Sequence, residues 1–197
     1  ERWRAHLLSE VLSTPAADDG RVFAQTMDGR IVAMNVSDGA ETWTYDNQVP
    51  ILTLRGTSSP VVRDGIVYAG FANGKILAFR SENGEPIWEH RVILPEGRSE
   101  LQRMVDVDSR PIVSQNQVFA AAYHGRVKAV SRRDGSPQWE QDISTYLDLA
   151  RGYSQIYVVD EDDIITAIDE NSGEVVWTQE SFARRKLSAP IAFSNYL

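Results

Sequence analysis

The chain has 197 residues, with 20 Lys and Arg against 28 Asp and Glu, and a formal net charge of −8. That length suits one domain or two small ones, the hydrophobic share of 42% can supply a buried core, and the acidic balance argues against nucleic-acid binding through a basic face. No cysteine is present, which excludes disulfides, thiolate metal sites, cysteine nucleophiles and cysteine lipidation within these residues, and no apolar run approaches the roughly 18 residues of a membrane-spanning helix.

The chain opens on Glu1-Arg2-Trp3-Arg4, without Met or a signal peptide, and reads as a processed chain or a fragment. From residue 13 it repeats. Trp43, Trp88, Trp139 and Trp177 each stand four positions after a glycine: Gly39, Gly84, Gly135 and Gly173. Each also stands ten positions after an alanine: Ala33, Ala78, Ala129 and Ala167. Three are preceded at 28 positions by a proline that closes a Ser-x-Pro, namely Pro15, Pro60 and Pro111, and the fourth has Leu149 there. The copies run approximately over 13–57, 58–108, 109–148 and 149–187. A leftover strand at 1–12 carries Trp3, and an incomplete copy at 188–197 opens on Ser188-Ala189-Pro190.

Each copy parses into four short strands. In the second copy they are 60–63, 66–71, 75–80 and 85–90, joined at Asp64-Gly65, Asn73-Gly74 and Asn83-Gly84. Such pairs favour tight hairpins, because Asn, Asp and Gly tolerate positive φ. Four-stranded units every 40–50 residues or so are the mark of a β-propeller. The expected fold is all-β: four complete four-stranded antiparallel blades, with partial blades at both ends. Four blades closing alone and two chains pairing into a ring both fit the pattern, and the two ends are expected to be reactive edges.

The tryptophans have two readings, a packing device between neighbouring blades and an aromatic binding surface. Repetition at one register in every blade favours packing, with Gly39, Gly84, Gly135 and Gly173 as its turn partners. Function is sought instead where the copies differ. The links from Trp43 to Pro60 and from Trp88 to Pro111 are long and successive, so they should project side by side. The first carries Leu52, Leu54 and Arg55, and the second carries Glu100, Arg103, Asp106 and Asp108. In extended chain Leu52 and Leu54 share a side, as do Asp106 and Asp108. Apolar anchors with a charged rim suit a partner site. Equally, the leucines could face a core, and Arg55 could pair with Asp106 or Asp108 to hold two blades in register.

Other clusters carry less. Asp160-Glu161-Asp162-Asp163 falls at a hairpin and reads as a solvated acidic turn rather than a calcium site, which needs six to eight oxygens. His6, His90 and His124 share no metal spacing, and His124 occupies a turn before Gly125. Arg184-Arg185-Lys186 is the densest basic run, too short for membrane attachment alone.

The pattern Asp28-Gly29-Arg30-Ile31-Val32-Ala33-Met34, then Asp38-Gly39, then Trp43, resembles the pyrroloquinoline-quinone-type propeller repeat. That family divides into quinone-dependent dehydrogenases and non-enzymatic scaffolds. Leu52-Thr53-Leu54-Arg55-Gly56 resembles the Leu-x-Leu-Arg-Gly segment of the BamB family of outer-membrane assembly lipoproteins. Glu100 to Asp108, followed by Pro111, resembles that family's Glu-Ile-x-Arg-Leu-x-Asp-Val-Asp … Pro segment. The resemblance implies a scaffold without catalytic residues, cofactor or metal, at the periplasmic face of the outer membrane. It implies docking to the POTRA region of the BamA insertase through Leu52, Leu54, Arg55, Asp106 and Asp108, with Glu100 and Arg103 as additional contacts, and aid to unfolded outer-membrane proteins. Members of the family usually have about twice as many blades, so the chain looks like the middle of one, and the lipid anchor would lie outside it. A quinone-dependent dehydrogenase and a propeller adaptor for another partner remain the alternatives.

Overall fold

A computed structural model describes residues 2–47, 57–94, 105–194 and 196–197. The first sheet holds β1 (Ala16–Asp18), β2 (Arg21–Gln25), β3 (Arg30–Asn35) and β4 (Glu41–Asp46). The second holds β5 (Val61–Arg63), β6 (Ile66–Phe71), β7 (Lys75–Arg80) and β8 (Pro86–Arg91). The third holds β9 (Ile112–Val113), β10 (Gln117–Ala121), β11 (Val127–Ser131) and β12 (Pro137–Gln141). The fourth holds β13 (Ala150–Gly152), β14 (Gln155–Val159), β15 (Ile165–Asp169) and β16 (Val175–Gln179). Every sheet is an antiparallel meander in chain order, as a propeller blade requires.

The first hairpins turn where the sequence supplies residues that accept the left-handed region. Asp19-Gly20 and Asp64-Gly65 both have positive φ, as does Tyr153-Ser154 in the fourth sheet without any glycine. The expected second-copy strands are shifted only at their ends: the first starts at Val61, and the last covers Pro86–Arg91, so His90 lies inside it. The segment 2–12 is not a strand, and 188–197 carries only the isolated bridge Phe193–Tyr196. A strand needs a neighbour to share its hydrogen bonds, and neither segment has a ladder partner among the described residues.

The core lies between the sheets rather than within any one of them. Phe23, Ile31 and Ala33 of the first sheet pack on Val67, Phe71, Leu77 and Phe79 of the second. Tyr68, Ile76 and Trp88 of the second pack on Val118, Ala120 and Val130 of the third. Phe119, Val127 and Ala129 of the third pack on Ile156, Val158 and Ile168 of the fourth. The middle strands are therefore covered on both faces, which explains their near-continuous apolar composition.

The repeated residues build the joint between blades. The glycine turns have φ between +70° and +75°. A Cβ on Gly84 would stand 2.5 Å from the Trp43 ring, on Gly135 2.8 Å from Trp88, and on Gly173 2.5 Å from Trp139. Trp3 meets Gly39 in the same way. Each indole N–H then donates to a carbonyl of the following sheet: Trp3 to Val36 at 2.8 Å, Trp43 to Ser81 at 3.0 Å, Trp88 to Arg132 at 3.0 Å and Trp139 to Glu170 at 2.8 Å. The alanine ten positions earlier is the cross-strand partner of each tryptophan, fully buried, and is followed by a register shift in the ladder. Trp177 has no such glycine among the described residues and is 38% exposed.

Candidate functional site

Half of the two long links lies outside the described residues. Leu52, Leu54, Arg55, Glu100 and Arg103 fall there. The roots of both links are described, and they meet. Asn47 and Thr57 from the first link and Asp108 from the second line one small recess, whose floor is Gly70 and Phe71 of β6 with Gln25 of β2. The recess therefore sits at the junction of the first and second blades.

The second link enters the recess as a wedge. Val107 N–H donates to Phe71 O at 3.3 Å, and Tyr123 N–H donates to Asp106 O at 2.8 Å, so the segment joins the second sheet to the third. A Cβ on Gly70 would stand 2.5 Å from Val107, so only glycine lets the wedge lie this close. Val105 and Val107 are buried with it. Asp106 and Asp108 do not share a surface, contrary to the alternation read from the sequence. Asp106 is fully enclosed, whereas Asp108 is partly open to the recess. The cause is the depth of the wedge, which sinks residues 105–107 between two blades and leaves only residue 108 at its rim.

Burial pushes the Asp108 carboxyl up to about 6. Gln25 is 2% exposed. Its Nε2 donates to Gly70 O at 2.8 Å, which fixes the amide orientation and turns Oε1 away from that bond. Gln25 Oε1 and Thr57 Oγ1 are both buried without a hydrogen-bond partner. Sequence reading passed over Gln25, yet the signal was present. At eighteen positions before the tryptophan the other copies have Gly70, Ala121 and Val159. A lone hydrogen-bonding side chain among small and apolar equivalents marks a departure from the repeat.

The other sequence candidates have structural work. Asp160 Oδ1 accepts the N–H of Asp162 and Ile164 at 2.9 Å each, and the Asp163 carboxylate accepts the N–H of Lys186 and Leu187 at 2.8 Å each. The acidic turn is thus more than a solvated loop, because it pins the segment carrying Arg184-Arg185-Lys186, whose side chains are exposed. His124 is an exposed turn residue with φ +51°. Burial first, and Lys128 second, hold His90 below the ordinary histidine range, while a backbone hydrogen bond to Gly135 opposes them. Gln141, at the same register, donates to Gly173 O at 2.5 Å. Both side chains therefore belong to the joints between blades. Among the described residues no three His, Asp or Glu side chains are grouped to hold a metal ion.

Comparison with known proteins gives a consistent result. The family model described as outer membrane protein assembly factor BamB matches residues 1–179. The outer membrane protein assembly factor BamB of Yersinia pestis is 36% identical over 195 residues, covering 99% of this chain and 50% of that protein. The crystal structure of BamB from Moraxella catarrhalis superposes with a TM-score of 0.91 at 28% identity, over 97% of this chain and 58% of that one. A quinohemoprotein alcohol dehydrogenase from Pseudomonas putida superposes with a TM-score of 0.74 at 17% identity, over 91% of this chain and 36% of that one, a likeness of fold alone. The chain spans about half the length of the curated relatives it matches.

Proposed function

The chain belongs to the BamB family of outer membrane protein assembly factors, and on that premise we propose that it is a non-enzymatic scaffold of outer-membrane protein assembly. It docks the periplasmic POTRA region of the BamA insertase at the outer membrane, held there by a lipid anchor outside these residues. It aids delivery of unfolded β-barrel proteins to the insertase. The docking face is formed by the two long links: Leu52, Leu54 and Arg55 from the first, and Asp108 from the second, with Glu100 and Arg103 at its edge. Asp106 serves this face from beneath, because its side chain is fully enclosed. It sets the depth of the wedge that presents Asp108.

The observation that carries this reading is the convergence of both link roots on one recess between the first two blades. Copies of a repeat that differ only in their links, and bring those links together, have built one surface. Trp43, Trp88 and Trp139 are used up in the joints between blades, so they are not available as an aromatic binding surface.

Calorimetry of this chain with the isolated POTRA region tests the reading, beside Arg55→Glu and Asp108→Arg variants verified to be folded. A central interface charge is worth on the order of 2 kcal/mol, so each variant should lose about thirtyfold in affinity. Wild-type affinity in both folded variants would place the docking face elsewhere. No heat with the wild-type chain would remove the partner.

A further inference from the structure

The recess between the first two blades is lined by more hydrogen-bond acceptors than the protein itself uses. Gln25 lines it, and its Oε1 is buried without a partner while the other end of the amide is committed to Gly70 O. Thr57 Oγ1 lies buried there without a partner. Asp108 brings a carboxylate to the same recess, and no lysine or arginine is among the described residues that line it. A buried acceptor left unmade costs free energy, so groups of this kind are retained where something meets them.

We propose that this recess is a socket for one primary ammonium group, a lysine side chain presented by the docking partner. The space takes a single water-sized group. An ammonium is compact and carries three donors and no acceptor. Gln25 Oε1, Thr57 Oγ1 and the Asp108 carboxylate offer three acceptors. A guanidinium is planar and too broad for the space. The assignment to a partner's lysine rests on the docking function proposed above, whereas the binding of an ammonium does not.

The test uses the intact chain and methylammonium chloride as the probe, followed through the Gln25 side-chain amide resonances by nitrogen–proton NMR. Tetramethylammonium chloride and potassium chloride, at matched ionic strength, are the controls. Methylammonium is expected to shift the Gln25 amide saturably below about 100 mM, as suits a ligand of two heavy atoms. Neither control should do so, because tetramethylammonium has no N–H donor and potassium has no directed hydrogen bonds. Asp108→Asn is expected to weaken methylammonium at least fivefold, and Gln25→Leu to abolish the shift of the neighbouring Gly70 amide. If Gln25→Leu does not fold, Asp108→Asn alone decides. Equal shifts in all three salts, or no saturation with methylammonium, would reduce the recess to a hydration site and overturn the proposal. Because this experiment contains no partner, its failure leaves the docking reading to the calorimetry, and failure of the calorimetry leaves the socket intact.

Discussion

Asp108 shows how a single residue reports on its surroundings. Its carboxyl titrates near 6 when folded, above the unfolded value of 3.8. The unfolded chain therefore releases its proton first as pH rises, so this group lowers stability progressively from about pH 4 to pH 6, and the loss is complete above that window. Two units correspond to about 3 kcal/mol, and partial exposure reduces this to about 1–2 kcal/mol. Asp108→Asn is accordingly expected to raise the unfolding free energy by that amount at pH 7.5 and to leave it unchanged near pH 3.8. Urea titrations at the two pH values measure the difference. Gly84 makes the opposite kind of case. Its φ of +73° already disfavours a side chain, and a Cβ would stand 2.5 Å from the Trp43 ring. Gly84→Ala should cost about 2–4 kcal/mol in the same assay, by the sum of left-handed strain and displacement of the indole. Neither effect was legible in the sequence beyond the identity of the residue, since both depend on what stands opposite.

At the scale of the element, the joint between blades is the repeating unit of stability. Trp88 is 8% exposed and donates to Arg132 O, whereas Trp177 is 38% exposed and has no following glycine among the described residues. Trp88→Ala should therefore cost about 3–5 kcal/mol, and Trp177→Ala less than half of that, read from chemical denaturation of the two variants. Equal costs would mean that the tryptophans act through their own sheets and not through the joint. The strands and their turns were readable in advance because period, turn pairs and the tryptophan register agreed with one another. The segment 2–12 was read as a strand because Trp3 has the right register. It keeps the tryptophan contact without the ladder, since the ring needs only Gly39 and Val36 O, whereas a ladder needs a neighbouring strand.

For the whole molecule, the question is what the fourth sheet does with its uncovered side. Val175, Val176, Trp177, Phe182, Ile191, Phe193 and Tyr196 are all exposed there or in the segment that follows. An apolar surface of that kind promotes association. Sedimentation of this chain should show self-association in the tens of micromolar, and Trp177→Glu should abolish it. A wild-type chain that sediments as a monomer at all concentrations would show that the face is covered in solution. The same geometry explains why the proposed docking face lies at the first two blades. Two long links can be neighbours only if their blades are, and the tryptophan joints fix that adjacency.

The amino-acid sequence determined the class of fold, the number of complete blades and the identity of the joint residues, because these are set by periods and turn chemistry that act over a few residues. It also showed that the two long links are where the copies depart from one another. Tertiary structure alone decided that Asp106 is enclosed while Asp108 stands at the rim, since that depends on how deeply the wedge of Val105 and Val107 sinks between blades. It alone brought Gln25, about eighty residues earlier in the chain, to the same recess as Asp108. The physical reason is that desolvation and unmet hydrogen bonds belong to an environment, and strands far apart in sequence supply that environment only when they pack.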